Sequence, residues 1–125
     1  MRNANLYMRF VEQFPEASDA VFLDMPDGRQ LTFAEIPQVT GRMLSLLQEL
    51  GVKKGDRVVV QVEKSIEAIV LYLACLRAGA IYIPLNTAYT SSEVGYFLED
   101  AEPRLFVCAP ERRDILAETA SAAGV

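Results

Sequence analysis

The sequence predicts an α/β domain: a mainly parallel sheet flanked by helices, preceded by an N-terminal helix and a hairpin. Three observations carry this expectation. From residue 57 onward, short apolar runs alternate with helical patterns, the order that builds parallel sheets. The run Val58-Val59-Val60-Gln61-Val62 is nearly continuous in apolar character, which suits a strand covered on both faces. The segment Ile66 to Ala78 is apolar almost all round, with only Glu67 and Arg77 charged, so it must be buried on several sides.

The elements follow in order. Leu6, Phe10 and Phe14, with Val11, fall at helical spacing from Asn5 onward, and Pro15 ends that helix. Ala20 to Leu23 reads as a short strand, Pro26-Asp27-Gly28 supplies turn residues, and Gln30 to Phe33 returns as the second arm of a hairpin. Thr32-Phe33-Ala34-Glu35 has the spacing of a capping box. The next helix carries Ile36, Val39, Thr40, Met43, Leu46, Leu47 and Leu50 on one face and closes at Gly51. Pro37 removes a donor near its first turn, so this helix is expected to start late or bend.

Gly51 to Asp56 is a loop and Arg57 to Val62 a strand. Ser65 caps the helix Ile66 to Ala78, and Gly79 ends it. Ala80-Ile81-Tyr82-Ile83 is expected as a second buried strand, stopped by Pro84. Thr90-Ser91-Ser92-Glu93 is a second capping box, opening a helix to about Ala101 that Glu102-Pro103 breaks. Leu105 to Cys108 is a third apolar strand, and Pro110 stands where a last helix would begin. The tail from Ala117 to Val125 is small and mixed with no finishing strand, so the chain is expected to end in mid-architecture.

Composition narrows the function classes. A chain of 125 residues fits one domain, and 51% hydrophobic residues suffice for a packed core. The net charge of -5 and the scattered basic residues argue against nucleic acid and against a polybasic membrane anchor. The first 20 residues carry Arg2, Arg9, Glu12 and Glu16 and no long apolar run, so no export signal is read there. The most apolar stretch, Ala68 to Leu76, is too short to span a bilayer. A cytoplasmic, soluble chain is expected. Cys75 and Cys108 stand apart in apolar company, and with no histidine in the chain a zinc site has almost no ligands. Two reduced core cysteines are expected.

Candidate chemistry is sparse. No glycine pattern matches a phosphate loop; Gly51 to Gly55 comes nearest, but it precedes a strand rather than a helix. Ser65, Ser91 and Ser92 have no histidine to act as base and read as helix-start residues. The acidic pairs Glu99-Asp100 and Glu111-Asp114 read as solvated charge rather than a Mg²⁺ site. Tyr82, Tyr89, Tyr96 and Phe97 could line a pocket, yet core packing is the expectation for each.

Several stretches, in order, resemble the N-terminal region of acyl-adenylate-forming (AMP-dependent) synthetases. They are Thr32-Phe33-Ala34-Glu35, Gly55-Asp56-Arg57-Val58, Glu63-Lys64-Ser65, Leu71-Tyr72-Leu73-Ala74, Arg77-Ala78-Gly79-Ala80, Pro84 to Thr90, Glu93 to Pro103, and the strand Leu105 to Cys108. Pro-Leu-Asn-Thr-Ala-Tyr-Thr, with Asn86 and Thr90 where many relatives have aspartate and proline, is most similar to malonyl-CoA and methylmalonyl-CoA synthetases. The resemblance implies a partial N-terminal AMP-binding domain over residues 1–125, with the C-terminal domain absent. It also implies a family reaction that uses ATP, Mg²⁺ and CoA to turn a carboxylic acid into its acyl-adenylate and then its thioester.

The family's nucleotide loop, acid pocket and late lysine have no matching positions here, so the resemblance assigns no catalytic, cofactor-binding or metal residue. Lys64 reads as a surface lysine before a helix cap. The chain alone is therefore expected to bind none of these cofactors and to be inactive. Its expected partners are the missing remainder of a ligase or a second copy of itself, the latter because the apolar helix Ile66 to Ala78 would lack cover. A binding or regulatory module, a subunit of a split ligase and a non-functional remnant are the alternatives.

Overall fold

The computed structural model describes residues 5–16 and 19–125. Arg2, one of the charges counted against an export signal, lies outside the described residues. Helix α1 (Leu6–Glu12) starts at Asn5, whose carboxamide oxygen accepts from the Tyr7 amide at 2.8 Å. Strands β1 (Val21–Asp24) and β2 (Gln30–Thr32) form the expected antiparallel hairpin. Asp27 closes the turn by accepting from the Arg29 amide at 3.0 Å. The carboxylate of Glu35 then accepts from the Thr32 amide at 3.0 Å, starting a 3₁₀ turn that runs directly into α2 (Ile36–Glu49). Pro37 thus occupies the first turn of α2, where no amide donor is required. The helix does not start late.

Behind this front lies a three-stranded parallel sheet in the order β4-β3-β5, formed by β3 (Arg57–Gln61), β4 (Ile81–Pro84) and β5 (Leu105–Cys108). The apolar run predicted to be covered on both faces is its central strand. Val58 and Val60 turn to one face, against Leu47 of α2 and Leu71, Ala74 and Cys75 of α3 (Ile66–Ala78). Val59 turns to the other, against Val94 and Leu98 of α4 (Ser91–Ala101) and Leu116 of α5 (Arg113–Ala122). The far side of α3 is buried too: Val70 and Leu73 pack with Tyr7, Leu31 and Ile36. An all-round apolar helix is satisfied because the sheet takes one side and α1, α2 and the hairpin take the other.

Three expectations need correction. Ala80 to Ile83 is not a buried strand; β4 pairs only with β3 among the described residues, and Ile81 is 47% exposed at its outer edge. The buried side of α1 centres on Tyr7, with Val11 and Phe14 packed against the same cluster, while Leu6 and Phe10 are 46% and 38% exposed. On α2, Ile36, Thr40 and Leu47 are buried, but Leu46 and Leu50 are 47% and 51% exposed. Among the exposed large hydrophobic residues, Leu46 and Leu50 belong to α2 and none belongs to α3 (Ile66–Ala78). The last helix, expected from Pro110 onward, runs as far as Ala122, and no strand follows it.

Gly79 shows why the motif after α3 needs glycine. It ends the helix in the left-handed region at φ 72°, its amide bonding Leu76 O while the Ala80 amide bonds Cys75 O. Its carbonyl in turn accepts from the Gly55 amide at 2.9 Å, tying the helix end to the loop before β3. A Cβ here would stand 3.0 Å from Cγ of Lys54. Gly79→Ala is expected to lower stability by about 1–2 kcal/mol, read by urea denaturation, mostly from backbone strain since the lysine can move. A loss below a few tenths would show that the strain is not there.

Candidate functional site

The sheet topology marks one place where a ligand or partner would meet the strands. β3 is followed by α3 on one face, whereas β5 is followed by α5 on the other. The crevice at their carboxyl ends is thus a topological switch point, the usual ligand position in open α/β sheets. Its floor is Gln61, the last residue of β3, which is 2% exposed. The Gln61 side chain donates to the main-chain oxygens of Asn86 at 2.9 Å and Tyr89 at 3.3 Å. Its carbonyl accepts from Nη1 of Arg112 at 2.7 Å. One buried amide therefore holds the β4–α4 turn and the 3₁₀ turn Pro110–Arg112 to the same strand end.

Sequence reading missed this pair. The only signal was a polar residue in an otherwise apolar run, and nothing local connects residue 61 with residue 112.

The helix-start residues lie at the same edge. Ser65 accepts from the Ala68 amide at 3.1 Å, and Thr90 and Glu93 close the second capping box with Glu93 N to Thr90 Oγ1 at 3.3 Å. These side chains serve their helices, as expected. Ser91 and Ser92 occupy the first turn of α4. Lys64 is exposed and lines a cleft of about 460 Å³ between the hairpin, α3 and β4, with Tyr72 and Tyr82 on its wall.

Gly51 to Gly55 lies at the amino ends of the strands, away from the switch point. Asp56 accepts there from the Lys53 amide at 2.7 Å, and Arg104 donates to Gly51 O at 3.1 Å. Glu99 and Asp100 are exposed on α4, while Glu111 and Asp114 are exposed near the start of α5. No group of three metal-ligating side chains that could hold an ion occurs among the described residues. At the switch point the Arg112 guanidinium is engaged with Gln61 through Nη1.

The aromatic residues divide. Tyr82 packs edge-on against Tyr72 at 5.2 Å, and burial raises its hydroxyl pKa. Tyr89 stacks on Phe97 at 5.1 Å beside the second core face. Tyr96 departs from expectation. It is 68% exposed on the outer side of α4, out of phase with the buried Val94 and Leu98.

Cys75 and Cys108 are free and pack on opposite faces of the sheet. Burial pushes the Cys75 thiol up to about 11 from an ordinary 9.0. Because its folded value is raised, the stability it contributes is complete below pH 9.0 and fades as pH rises toward about 11. Cys108 is raised by burial, with Arg112 and Arg113 opposing. Iodoacetamide at pH 8 is expected to modify the half-buried Cys108 at least about tenfold faster than Cys75. Equal rates, followed by mass spectrometry, would mean that the α3 core opens readily.

The AMP-binding enzyme family model matches residues 8–124. The chain belongs to that family. It is 36% identical over 107 residues to propionate–CoA ligase of Escherichia coli (strain K12), covering 84% of this chain and 17% of that protein. It is 31% identical over 100 residues to tyrocidine synthase 1 of Brevibacillus parabrevis, covering 80% of this chain and 9% of that protein. Apo MatB from Rhodopseudomonas palustris superposes with a TM-score of 0.92 at 43% identity, covering 99% of this chain and 25% of MatB. The ATP-bound form of MatB gives a TM-score of 0.91. The chain spans no more than about a quarter of the length of these relatives. No helix among the described residues is long and apolar enough to cross a membrane.

Proposed function

We propose that residues 1–125 form the N-terminal part of the AMP-binding domain of an ATP-dependent acid–CoA ligase, with malonate or methylmalonate as the acid. The observation that carries this is the likeness to MatB: nearly the whole chain superposes, yet on only a quarter of that protein. The likeness of the run Pro84 to Thr90 to malonyl-CoA and methylmalonyl-CoA synthetases supports the choice of acid. In the parent reaction the carboxylate oxygen attacks the α-phosphorus of ATP and pyrophosphate leaves. The CoA thiolate then attacks the acyl carbonyl and AMP leaves. This chain contributes scaffold to that reaction and no reacting group.

Pure chain is expected to show no malonate-dependent ATP–pyrophosphate exchange above a no-protein blank. A chimera in which it replaces the matched quarter of Rhodopseudomonas palustris MatB is expected to exchange with malonate and methylmalonate. Exchange by the chain alone would overturn its assignment as scaffold. A folded but inert chimera would overturn the ligase reading.

A further inference from the structure

We infer that the tip of the β1–β2 hairpin is a strap, held over the cleft beside α3 by an ionic clasp that dissolved salt releases. The cleft of about 460 Å³ has Leu23 and Met25 of the hairpin on one wall and Ala68, Ile69 and Tyr72 of α3 on another. Arg29, just past the hairpin turn, donates through Nε to Asp27 at 3.0 Å. Its Nη1 donates to Glu67, in the first turn of α3, at 2.7 Å. Among the described residues this is the one hydrogen bond that ties residues 23–31 to anything outside the hairpin.

The two ends of the hairpin are held differently. At the base, Leu31 is 3% exposed and packs with Tyr7, Ile36, Val70 and Leu73. Beside it the Phe33 ring meets Phe14 at 5.0 Å and Phe22 at 5.2 Å. At the tip, Pro26, Asp27 and Gly28 are exposed, and only Met25 lines the cleft beyond Leu23. Apolar packing therefore fixes the base, while residues 24–30 depend on one polar fastening. A segment with few buried contacts and exposed backbone bonds opens first.

The side chains of Arg29, Asp27 and Glu67 are 50%, 58% and 64% exposed. Charges so placed are screened by salt, the Debye length falling from about 10 Å at 0.1 M to about 3 Å at 1 M. Acid acts only far below neutrality. Asp27 is held below its ordinary 3.8 by the Arg29 amide, and Glu67 below 4.5 by its own amide and the Arg29 guanidinium. Both folded values are lowered, so the clasp is complete above about pH 4.5 and is lost as pH falls through them. Asp24, which accepts from Gln30, and Glu63 and Lys64 on the cleft rim form no ion pair with it among the described residues. Ionic strength is thus the variable to which the strap answers near neutral pH.

The test is hydrogen exchange at the Met25 and Gly28 amides, which donate within the tip to Arg29 O and Met25 O, each at 2.9 Å. At low salt, Glu67→Gln and Arg29→Gln should each speed exchange about two- to fivefold, the range one exposed ion pair supplies. Salt at about 1 M should speed the wild-type chain as much, and change either variant by less than about 1.5-fold. The double variant should be no faster than Arg29→Gln alone, because both side chains act through one bond. Effects that multiply, a wild-type chain indifferent to salt, or equal acceleration of the α3 amides would overturn the strap. Movement over the cleft has its own reading. The chain has no tryptophan, so Tyr82→Trp puts a single reporter on the cleft wall, and Tyr72→Trp serves if that variant does not fold. Glu67→Gln in that background should raise acrylamide quenching about 1.5-fold or more. Unchanged quenching beside faster exchange would show a tip that frays without uncovering the cleft, and would overturn the inference.

Discussion

Replacing Gln61 with leucine should cost the chain about 2–4 kcal/mol, one of the largest losses expected from any single substitution here. Leucine matches the volume of the side chain but none of its bonds. The main-chain oxygens of Asn86 and Tyr89 lose their side-chain donor, and the Arg112 guanidinium loses the acceptor at 2.7 Å. A hydrogen bond to a charged group contributes about 1.5–3 kcal/mol and a neutral one about 1, with water recovering part at the exposed turn. Urea denaturation reads the total. Hydrogen exchange reads the location: amides of the β4–α4 turn should lose protection while those of α3 keep theirs. A variant within about 0.5 kcal/mol of wild type, with unchanged exchange in that turn, would show that Gln61 fills space only.

Gln61 also shows where sequence reasoning stops. The strand that contains it was legible, because an unbroken apolar run has one economical place in an α/β fold, the middle of a parallel sheet. Helix α3 was legible for the same reason, and both capping boxes formed as their spacing requires. All three signals are local. What sequence could not supply was which neighbours each face meets. Ile81 is as apolar as Val59, but one is at an edge and the other is sealed between helices. The stripe on α2 reads as continuous in sequence, and only the position of β5 shows that it is divided into a packed part and an open part. In α1, helical spacing marked the face of Leu6, Phe10 and Phe14, whereas Tyr7 is the residue that packs with Leu31, Ile36, Val70 and Leu73. The family landmarks told of membership, not of these contacts.

Arg77→Ala should be comparably damaging, at about 2–4 kcal/mol, because one guanidinium fastens the front of the molecule together. Nη1 donates to Pro37 O and to Thr40 Oγ1, each at 3.0 Å, and the guanidinium carbon lies 5.0 Å from the centre of the Tyr7 ring. Thr40 is fully buried and already donates its own hydroxyl proton to Ile36 O at 2.7 Å. Without the arginine its remaining oxygen lone pairs lose their main donor in a place poor in water. Arg77→Lys should recover less than half of the loss, since a single ammonium on a flexible stem cannot meet the carbonyl, the hydroxyl and the ring face at once. A double-mutant cycle with Thr40→Val separates bonding from packing. If the hydrogen bond is what matters, the two losses should couple by about 1 kcal/mol or more, whereas additivity within about 0.3–0.5 would assign the arginine's effect to its stacking on Tyr7 alone. Exchange of the α1 amides decides the mechanism, because α1 meets α3 through this contact and through Asn5 Nδ2 on Leu76 O at 2.7 Å. Loosening of α1 with the sheet still protected is the expected pattern. Uniform loss across the sheet would mean that the arginine supports the whole fold rather than the docking of one helix.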